Sequence, residues 1–481
     1  MNMQQTPTGD SGQLEQLTGV FAAQKAAYAQ TPYPSFDERQ KHLSALNAAI
    51  ARNKAAIIEA VNQDFGCRSR TETVLTEILG CHGAIHYMQK HLRKLTRARR
   101  RHTGLWSLPA KNYVIAQPLG VVGIMAPWNY PLHLAISPLA CALAAGNRAM
   151  ITMSEEAPNL FAVVSKMIAE TFAEDHVCVF QGGAISPHFA SLPFDHLLFT
   201  GSTRVGKLIA QAAAQNLTPV TLELGGKSPA IVGADYDLVE AAKRISWAKC
   251  FNAGQTCIAP DYVFVPHGQA DSFAKAAIAK FNRGYNGIDD KDFTAIVSER
   301  FYTRLNAMVD EAESKGAVII RPEGLMPRER DGVYKIPLTI VMNAPDDCTL
   351  MQEEIFGPIL PVMEYDRLEE VTEYVNERDR PLSLYVYSHD QQTRQQVLRS
   401  TVSGSAGLND ALLQYIQEDL AFGGVGMSGQ GAYHGKEGFD TFSHLKSVFQ
   451  QRGFGKFAGI KLLHPPYGRV GNLLLRMMGD K

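Results

Sequence analysis

No two cysteines in this chain form a C-x-x-C pair. None of the seven, at Cys67, Cys81, Cys141, Cys178, Cys250, Cys257 and Cys348, belongs to a Cys/His cluster with structural-zinc spacing. A zinc module is thereby excluded, and an odd, scattered count argues against a disulfide framework and for a reducing compartment. A surplus of one charge is also missing. Lys and Arg total 47 against 48 Asp and Glu, for a net charge of −1. Bulk charge therefore gives no support to nucleic-acid binding. One basic run, Arg97 to Arg101 (RARRR), has no interleaved aromatics and reads as a solvated helix end. Long apolar runs are absent as well. The longest, Leu132 to Gly146, is too short to span a bilayer and contains Pro138. The polar start MNMQQTPTGDSGQ has no apolar signal-like region. These absences lead to the expectation of a soluble, cytoplasmic protein with no membrane span, nucleic-acid partner or metal.

What is present suits a large globular chain. There are 481 residues, 45% of them hydrophobic and 20% charged, enough for two or three domains. Residues 1–12 are polar and read as disordered. From Leu14 to about Arg100 apolar residues recur at helical spacing. Beyond Tyr113, strands and helices alternate. Strands are expected at Tyr113–Gln117, Val121–Met125, Arg148–Met153, Val177–Gln181, Leu197–Thr200 and Val220–Leu224, with helices between most of them. Such alternation predicts crossover units and a parallel sheet covered on both faces, with ligands at the carboxyl ends of its strands. A second alternating block runs from near Ser228 to Leu408. Asn409 to Gly438 is Gly-rich, and a short amphipathic helix is expected at Arg469–Met478.

Several stretches carry chemistry. Phe251–Pro260 (FNAGQTCIAP) puts Cys257 on a turn between a helix, Leu238–Lys249, and a strand, Tyr262–Val265. A free thiol has a pKa near ~8.5, so reactivity needs a site that favours the thiolate. Exposed backbone N–H groups and a cationic cofactor ring are candidates; an inert buried cysteine is the alternative. Leu198–Leu208 (LFTGSTRVGKL) reads as strand, turn and helix. It approaches a phosphate-binding loop but has Leu208 where a magnesium-binding hydroxyl is needed. Its Ser202 and Thr203 at a helix start suit a pyrophosphate, or simply cap the helix. Thr221–Pro229 (TLELGGKSP) sets Glu223 in an apolar strand, where a carboxylate is either paired or functional. Pro127–Pro131 (PWNYP) stiffens Asn129, whose amide can serve turn chemistry or an oxyanion. Glu353–Pro358 (EEIFGP) pairs acids with Phe356 before a turn. Gly424–Gly429 fits GxGxxG without strand-helix context and reads as a flexible loop.

Taken in order, PWNYP, FTGSTRVG, ELGGKSP, FNAGQTCIAP, EEIFGP and PLSLYVYS resemble the aldehyde dehydrogenase superfamily over about Tyr113 to Ser447. AYHGKEGFDTFSHLKS and the PPY tail resemble its class 3 branch, and within that branch the bacterial coniferyl aldehyde dehydrogenases. The resemblance implies an α/β fold with two Rossmann-like parallel-sheet domains and a small bridging or oligomerisation element. Its expected divisions are an NAD-binding domain at 13–224 with a bridging segment near 103–120, a catalytic domain at 225–408, and a C-terminal return, oligomerisation segment and tail at 409–481. It also implies that Cys257 attacks an aldehyde, that Asn129 and the Cys257 N–H hold the oxyanion, and that Glu223 activates water. Gly201, Ser202, Gly206, Glu155, Trp128, Leu224, Glu354 and Phe356 are implied cofactor contacts. Where the family often has a lysine in a KPSE-like segment, this chain has Thr152. Glu155 remains and would oppose a 2′-phosphate, so NAD is favoured over NADP. The expected substrate is an aromatic or hydrophobic aldehyde such as coniferyl aldehyde, with a long-chain aliphatic aldehyde or a cysteine esterase as alternatives, and the expected assembly is a homodimer.

Overall fold

The computed structural model describes residues 10–104, 107–452, 464–465 and 468–478. Two open sheets organise it. The first has six strands, ordered Gly429–Gln430, Val220–Glu223, His196–Thr200, Val121–Ala126, Arg148–Met153, Val177–Gln181. All neighbours pair in parallel except Gly429–Gln430, which runs antiparallel to Val220–Glu223. The chain order reverses between Val121–Ala126 and His196–Thr200. Such a switch point leaves a crevice at the strands' carboxyl ends. PWNYP and Gly201–Ser202 follow those two strands directly.

The second sheet has seven strands, ordered Val318–Ile320, Thr339–Met342, Ile359–Tyr365, Tyr262–Pro266, Pro229–Val232, Ser383–Tyr387, Ser405–Leu408. Only Val318–Ile320 is antiparallel to its neighbour. These interior strands read as apolar runs because helices cover both faces. Val121–Ala126 is buried along its whole length, and the helix His133–Ala145 is buried on all sides. Pro138 sits inside that helix, which ends on Gly146 in the left-handed conformation at φ 95°. Two α/β sheets of this kind are the fold the resemblance implied.

A third sheet joins distant parts of the chain. Arg99–Arg101, Lys111–Pro118 and Ser443–Gln450 lie side by side, all antiparallel. This corrects the reading of RARRR as a helix end. The helix Gly80–Thr96 stops first, Arg99–Arg101 forms a strand against Asn112–Val114, and Arg99 makes a forked ion pair with Asp440 at 2.5 and 2.8 Å. The expectation of disorder over residues 1–12 also changes. Asp10 opens a helix that runs to Gln30, while residues 1–9 fall outside the described set.

A six-residue π-helical stretch, Val74–Leu79, interrupts the N-terminal helices. It turns Glu77 into the protein, where that side chain is fully buried. Irregular helical turns of this type recur at functional sites.

Candidate active site

The helix Leu238–Cys250 ends where the sequence leads one to expect, and the turn after it is tightly wound. Asn252, Ala253 and Gly254 take φ of 51°, 51° and 71° in succession. Each non-glycine residue in the left-handed region costs roughly 1–3 kcal/mol and persists only where the surroundings fix it. They do so here. The buried Glu72 carboxylate accepts the Asn252 N–H at 3.0 Å and the Thr294 hydroxyl at 2.8 Å. The Gln255 amide donates to the carbonyls of Asn252 and Ala295 and accepts from the Val297 N–H, all within 3.0 Å. A Cβ on Gly254 would collide with the Gly357 carbonyl, so this turn and EEIFGP meet backbone to backbone.

Cys257 emerges from that turn partly exposed. Burial pushes its thiol up, as do the carboxylates of Glu354 and Glu223, while the backbone N–H groups of Cys257 and Ile258 pull the other way. The expected drop in thiol pKa is therefore not supplied by the protein alone. Two acids and a desolvated sulfur outweigh two backbone donors. A cation close to the sulfur would reverse the balance.

Asn129 is brought to the same turn. Its side-chain amide donates to the Gln255 carbonyl at 3.1 Å, and its own carbonyl accepts from Asn252 at 3.2 Å and Arg68 at 3.0 Å. Next to it, the Tyr130 and Thr256 hydroxyls bond at 2.6 Å. An amide nitrogen carries two hydrogens, so one N–H of Asn129 is left beside the cysteine turn.

Glu223 ends its strand with 2% exposure, and neither carboxylate oxygen has a hydrogen-bond partner. Burial alone raises its pKa well above the ordinary range. An acid this poorly satisfied is not a structural ion pair, which removes that alternative. Its backbone lies opposite Gly429, and the Leu224 N–H donates to the Ser428 carbonyl at 3.1 Å. The Gly424–Gly429 segment is thus a packed backing for the acid's strand. Reading it as a flexible loop was wrong. A Cβ at Gly424 or Gly429 would strike backbone atoms of Ser428 or Leu222.

The crevice carries the other expected residues. Ser202 caps the helix Thr203–Ala214, accepting the Val205 N–H, and Thr203 donates to the Met427 carbonyl. Gly201 lies over the Phe199 ring, and Gly206 meets Leu224, whose Cδ2 would stand 2.6 Å from an added Cβ. Leu224 is buried, and the missing Cβ of Gly206 lets the helix start sit close against it. Glu155 is exposed beside Gly183, whereas Thr152 is buried within its strand.

Glu354 is half-buried and lies against Gly225, where a Cβ would overlap its carboxylate. Burial raises its pKa to about 8, with Asp261 adding to the rise and the Gly226 N–H opposing it. Its segment is gripped from three sides. Arg304 donates to the carbonyls of Glu354 and Ile355 at 2.5 and 2.9 Å, Asp261 accepts the Ile355 N–H at 3.0 Å, and Lys227 bonds Asp261, Leu350 and Glu353. Phe356 takes φ 56° and turns its ring edge-on to Trp128 at 5.4 Å, and the indole also meets Phe301 at 4.8 Å and Phe65 at 6.2 Å.

Sequence reasoning missed Glu72, Arg68, Thr294 and Asp261, which lie far along the chain from the residues they hold. Asn252 and Gln255 were inside the quoted motif, and the signal there was two amides flanking a turn. Among the described residues no group of three or more His, Cys, Asp or Glu could hold a metal ion, and no helix is long and apolar enough to cross a membrane.

The aldehyde dehydrogenase family matches residues 3–448. A probable coniferyl aldehyde dehydrogenase of Pseudomonas aeruginosa is 46% identical over 464 residues, covering 95% of each chain. The fold superposes on a Staphylococcus aureus AldH in its substrate-bound state with TM-score 0.90 and 35% identity, covering 96% of this chain and 99% of that one. It also superposes on a Bacillus cereus aldehyde dehydrogenase in complex with NAD+, with TM-score 0.82 and 26% identity over 91% and 89%.

Proposed function

The chain belongs to the aldehyde dehydrogenase family, in its class 3-like branch, and from that premise we propose that it oxidises aromatic or hydrophobic aldehydes of the coniferyl type to carboxylic acids with NAD. The observation that carries the reading is the pairing of a partly exposed thiol, Cys257, with an unpartnered buried carboxylate, Glu223, around one rigid turn.

Cys257 as thiolate attacks the aldehyde carbon, and the carbonyl oxygen becomes an oxyanion. The free Asn129 N–H and the Cys257 backbone N–H are the donors available to that oxygen; one such donor is worth ~3 kcal/mol. NAD, when bound, supplies the acceptor for the hydride that leaves the thiohemiacetal carbon. The crevice suits such a cofactor: Gly201, Ser202 and Gly206 leave a close backbone approach at a helix start, Glu354 is available for a ribose, and Phe356 and Trp128 form an aromatic wall. Exposed Glu155 offers a carboxylate to ribose hydroxyls and repels a 2′-phosphate, which supports NAD over NADP; kcat/KM with each cofactor measures this.

Glu223 then takes a proton from water, whose oxygen attacks the thioester carbon; the carbon–sulfur bond breaks to give the acid and the Cys257 thiolate, and Glu223 passes its proton to solvent. A carboxylate at this position also speaks against transfer of the acyl group to coenzyme A. The Cys257→Ala protein tests the whole reading: it should form no NADH from any aldehyde while still binding NAD. Retained turnover would remove the assignment. We further infer a cytoplasmic homodimer. The exposed strand Ser443–Gln450 at the edge of the third sheet supports an assembly surface, and sedimentation velocity reports the subunit number.

A further inference from the structure

Unpartnered buried polar atoms gather around Tyr415. Glu77 Oε1, His133 Nε2 and both ring nitrogens of His434 have no hydrogen-bond partner, and these three side chains are 0, 4 and 1% exposed. Buried polar groups are nearly always satisfied, so a cluster of them marks a place where a polar atom from elsewhere fits.

Two walls tie the cluster to the residues on either side of Cys257. One is PWNYP and the helix start behind it. Tyr130 is bonded to Thr256, the Tyr130 carbonyl accepts the Leu134 N–H, and Glu77 accepts the His133 N–H at 2.7 Å. The second wall is fastened to the residue after the nucleophile. Tyr385 donates to the Ile258 carbonyl at 2.6 Å, Gln414 donates to the Tyr385 oxygen at 3.0 Å, and Tyr415 follows Gln414 in the chain. Partly exposed Tyr415 joins the walls: its ring centroid is 5.5 Å from His133 and 4.8 Å from His434. Its hydroxyl lies 3.1 Å from that of Tyr433. His133 has its other nitrogen, Nδ1, 3.9 Å from the Cys81 sulfur, which leaves Nε2 on the opposite side of the ring.

The geometry points to a hydroxyl-reading subsite: we propose that Glu77, His133 and His434 together receive a hydroxyl borne on the ring of an aryl aldehyde whose ring lies against Tyr415. A phenol both donates and accepts one hydrogen bond. Glu77 Oε1 is an acceptor, His133 presents Nε2 alone, and a neutral His434 carries one donor and one acceptor nitrogen, so the set holds both an acceptor for the phenol proton and a donor for its oxygen. An aliphatic chain would leave these atoms unpaired. A site built to bond a hydroxyl rejects the analogue that lacks it far more strongly than an apolar pocket rejects an added group.

This inference rests on the aldehyde-oxidising reading above, and the experiment separates the two. The wild-type protein is assayed for NADH formation with 4-hydroxy-3-methoxycinnamaldehyde, 3,4-dimethoxycinnamaldehyde and cinnamaldehyde. The expected result is a kcat/KM for the free phenol at least about tenfold above the other two. In His434→Phe, and independently in Glu77→Gln, that preference should shrink to about twofold or less while cinnamaldehyde turnover stays within about threefold of wild type. No NADH from any of the three would fail the parent reading. Oxidation of all three with equal kcat/KM, or a preference that survives in a folded variant, would overturn the subsite alone and leave the cluster as a holder of buried water.

Discussion

Gly429 stands directly opposite Glu223 across an antiparallel pair, with the Gly-rich return of the chain closing over the strand that carries the buried acid. The relationship is tight because Gly429 has φ 151° and no room for a side chain beside the Leu222 carbonyl. The acid's isolation from water is therefore made by residues some two hundred positions later in sequence.

Gly429→Ala should lower thermal stability, since it combines a strained φ with a backbone collision; a cost of ~1–3 kcal/mol is expected. Steady-state acid formation should fall further than the Tm shift implies, because the strand holding Glu223 must move. Differential scanning fluorimetry with turnover on the same preparation checks this, and an unchanged rate at lowered Tm would show that the pairing does not position the acid.

Glu223→Gln should leave the first turnover of NADH largely intact and slow the steady state by ~10²–10⁴. In wild type the base must be ionised. Because its pKa is raised, the hydrolytic rate should climb as pH rises and fall as pH drops. Stopped-flow traces across pH separate burst from steady state. Equal loss of both phases would remove Glu223 as the base for acid release.

Asn129→Ala should reduce kcat by ~10²–10³ through loss of an oxyanion donor. Glu72→Gln tests the support beneath it. That change keeps one acceptor for Asn252 and Thr294, so a smaller loss in kcat with unchanged NAD affinity is expected. A Glu72→Gln enzyme as impaired as Asn129→Ala would mean that the charge itself is needed.

Stability should respond to acid through His176. Its ring lies 4.2 Å from that of His42, and burial, then His42 and Arg148, hold its pKa down to about 3. An unfolded histidine titrates near ~6.5. The contribution is thus complete above that value and is lost as pH falls toward 3, where the unfolded chain binds the extra proton. Glu72 and Glu77, both raised to about 7 by burial, act oppositely: their contribution is complete below the ~4.3 at which an unfolded glutamate titrates and is lost as pH rises through 7. His176→Phe should therefore lose less Tm than wild type between pH 7 and pH 5. Parallel Tm curves for the two proteins would contradict this.

The parallel strands of the first sheet were legible because buried parallel strands are short apolar runs between turn residues, as at Val121–Ala126 and Arg148–Met153. The turn that carries Cys257 between a helix and a strand was legible from FNAGQTCIAP, and the unusual setting of Glu223 from a lone acid among apolar neighbours. What could not be read depended on distant partners. RARRR became a strand because Asn112–Val114 and Asp440 receive it, and nothing local announces either. Gly424–Gly429 has the letters of a nucleotide loop, yet its packing comes from Leu222 and Glu223. Glu72 and Glu77 sit in stretches with helical spacing, where an acid ordinarily faces water, and only the π-helical turn and the cysteine loop explain their burial.

The third sheet couples folding to the order of synthesis. Lys111–Pro118 pairs residue for residue with Ser443–Gln450, and Val220–Glu223 waits for Gly429–Gln430. A ribosome making this chain has produced every strand of the first sheet but one long before those last partners exist. The growing polypeptide therefore carries one strand edge without its partner from Pro118 until Ser443 is made, and a second from Glu223 until Gly429.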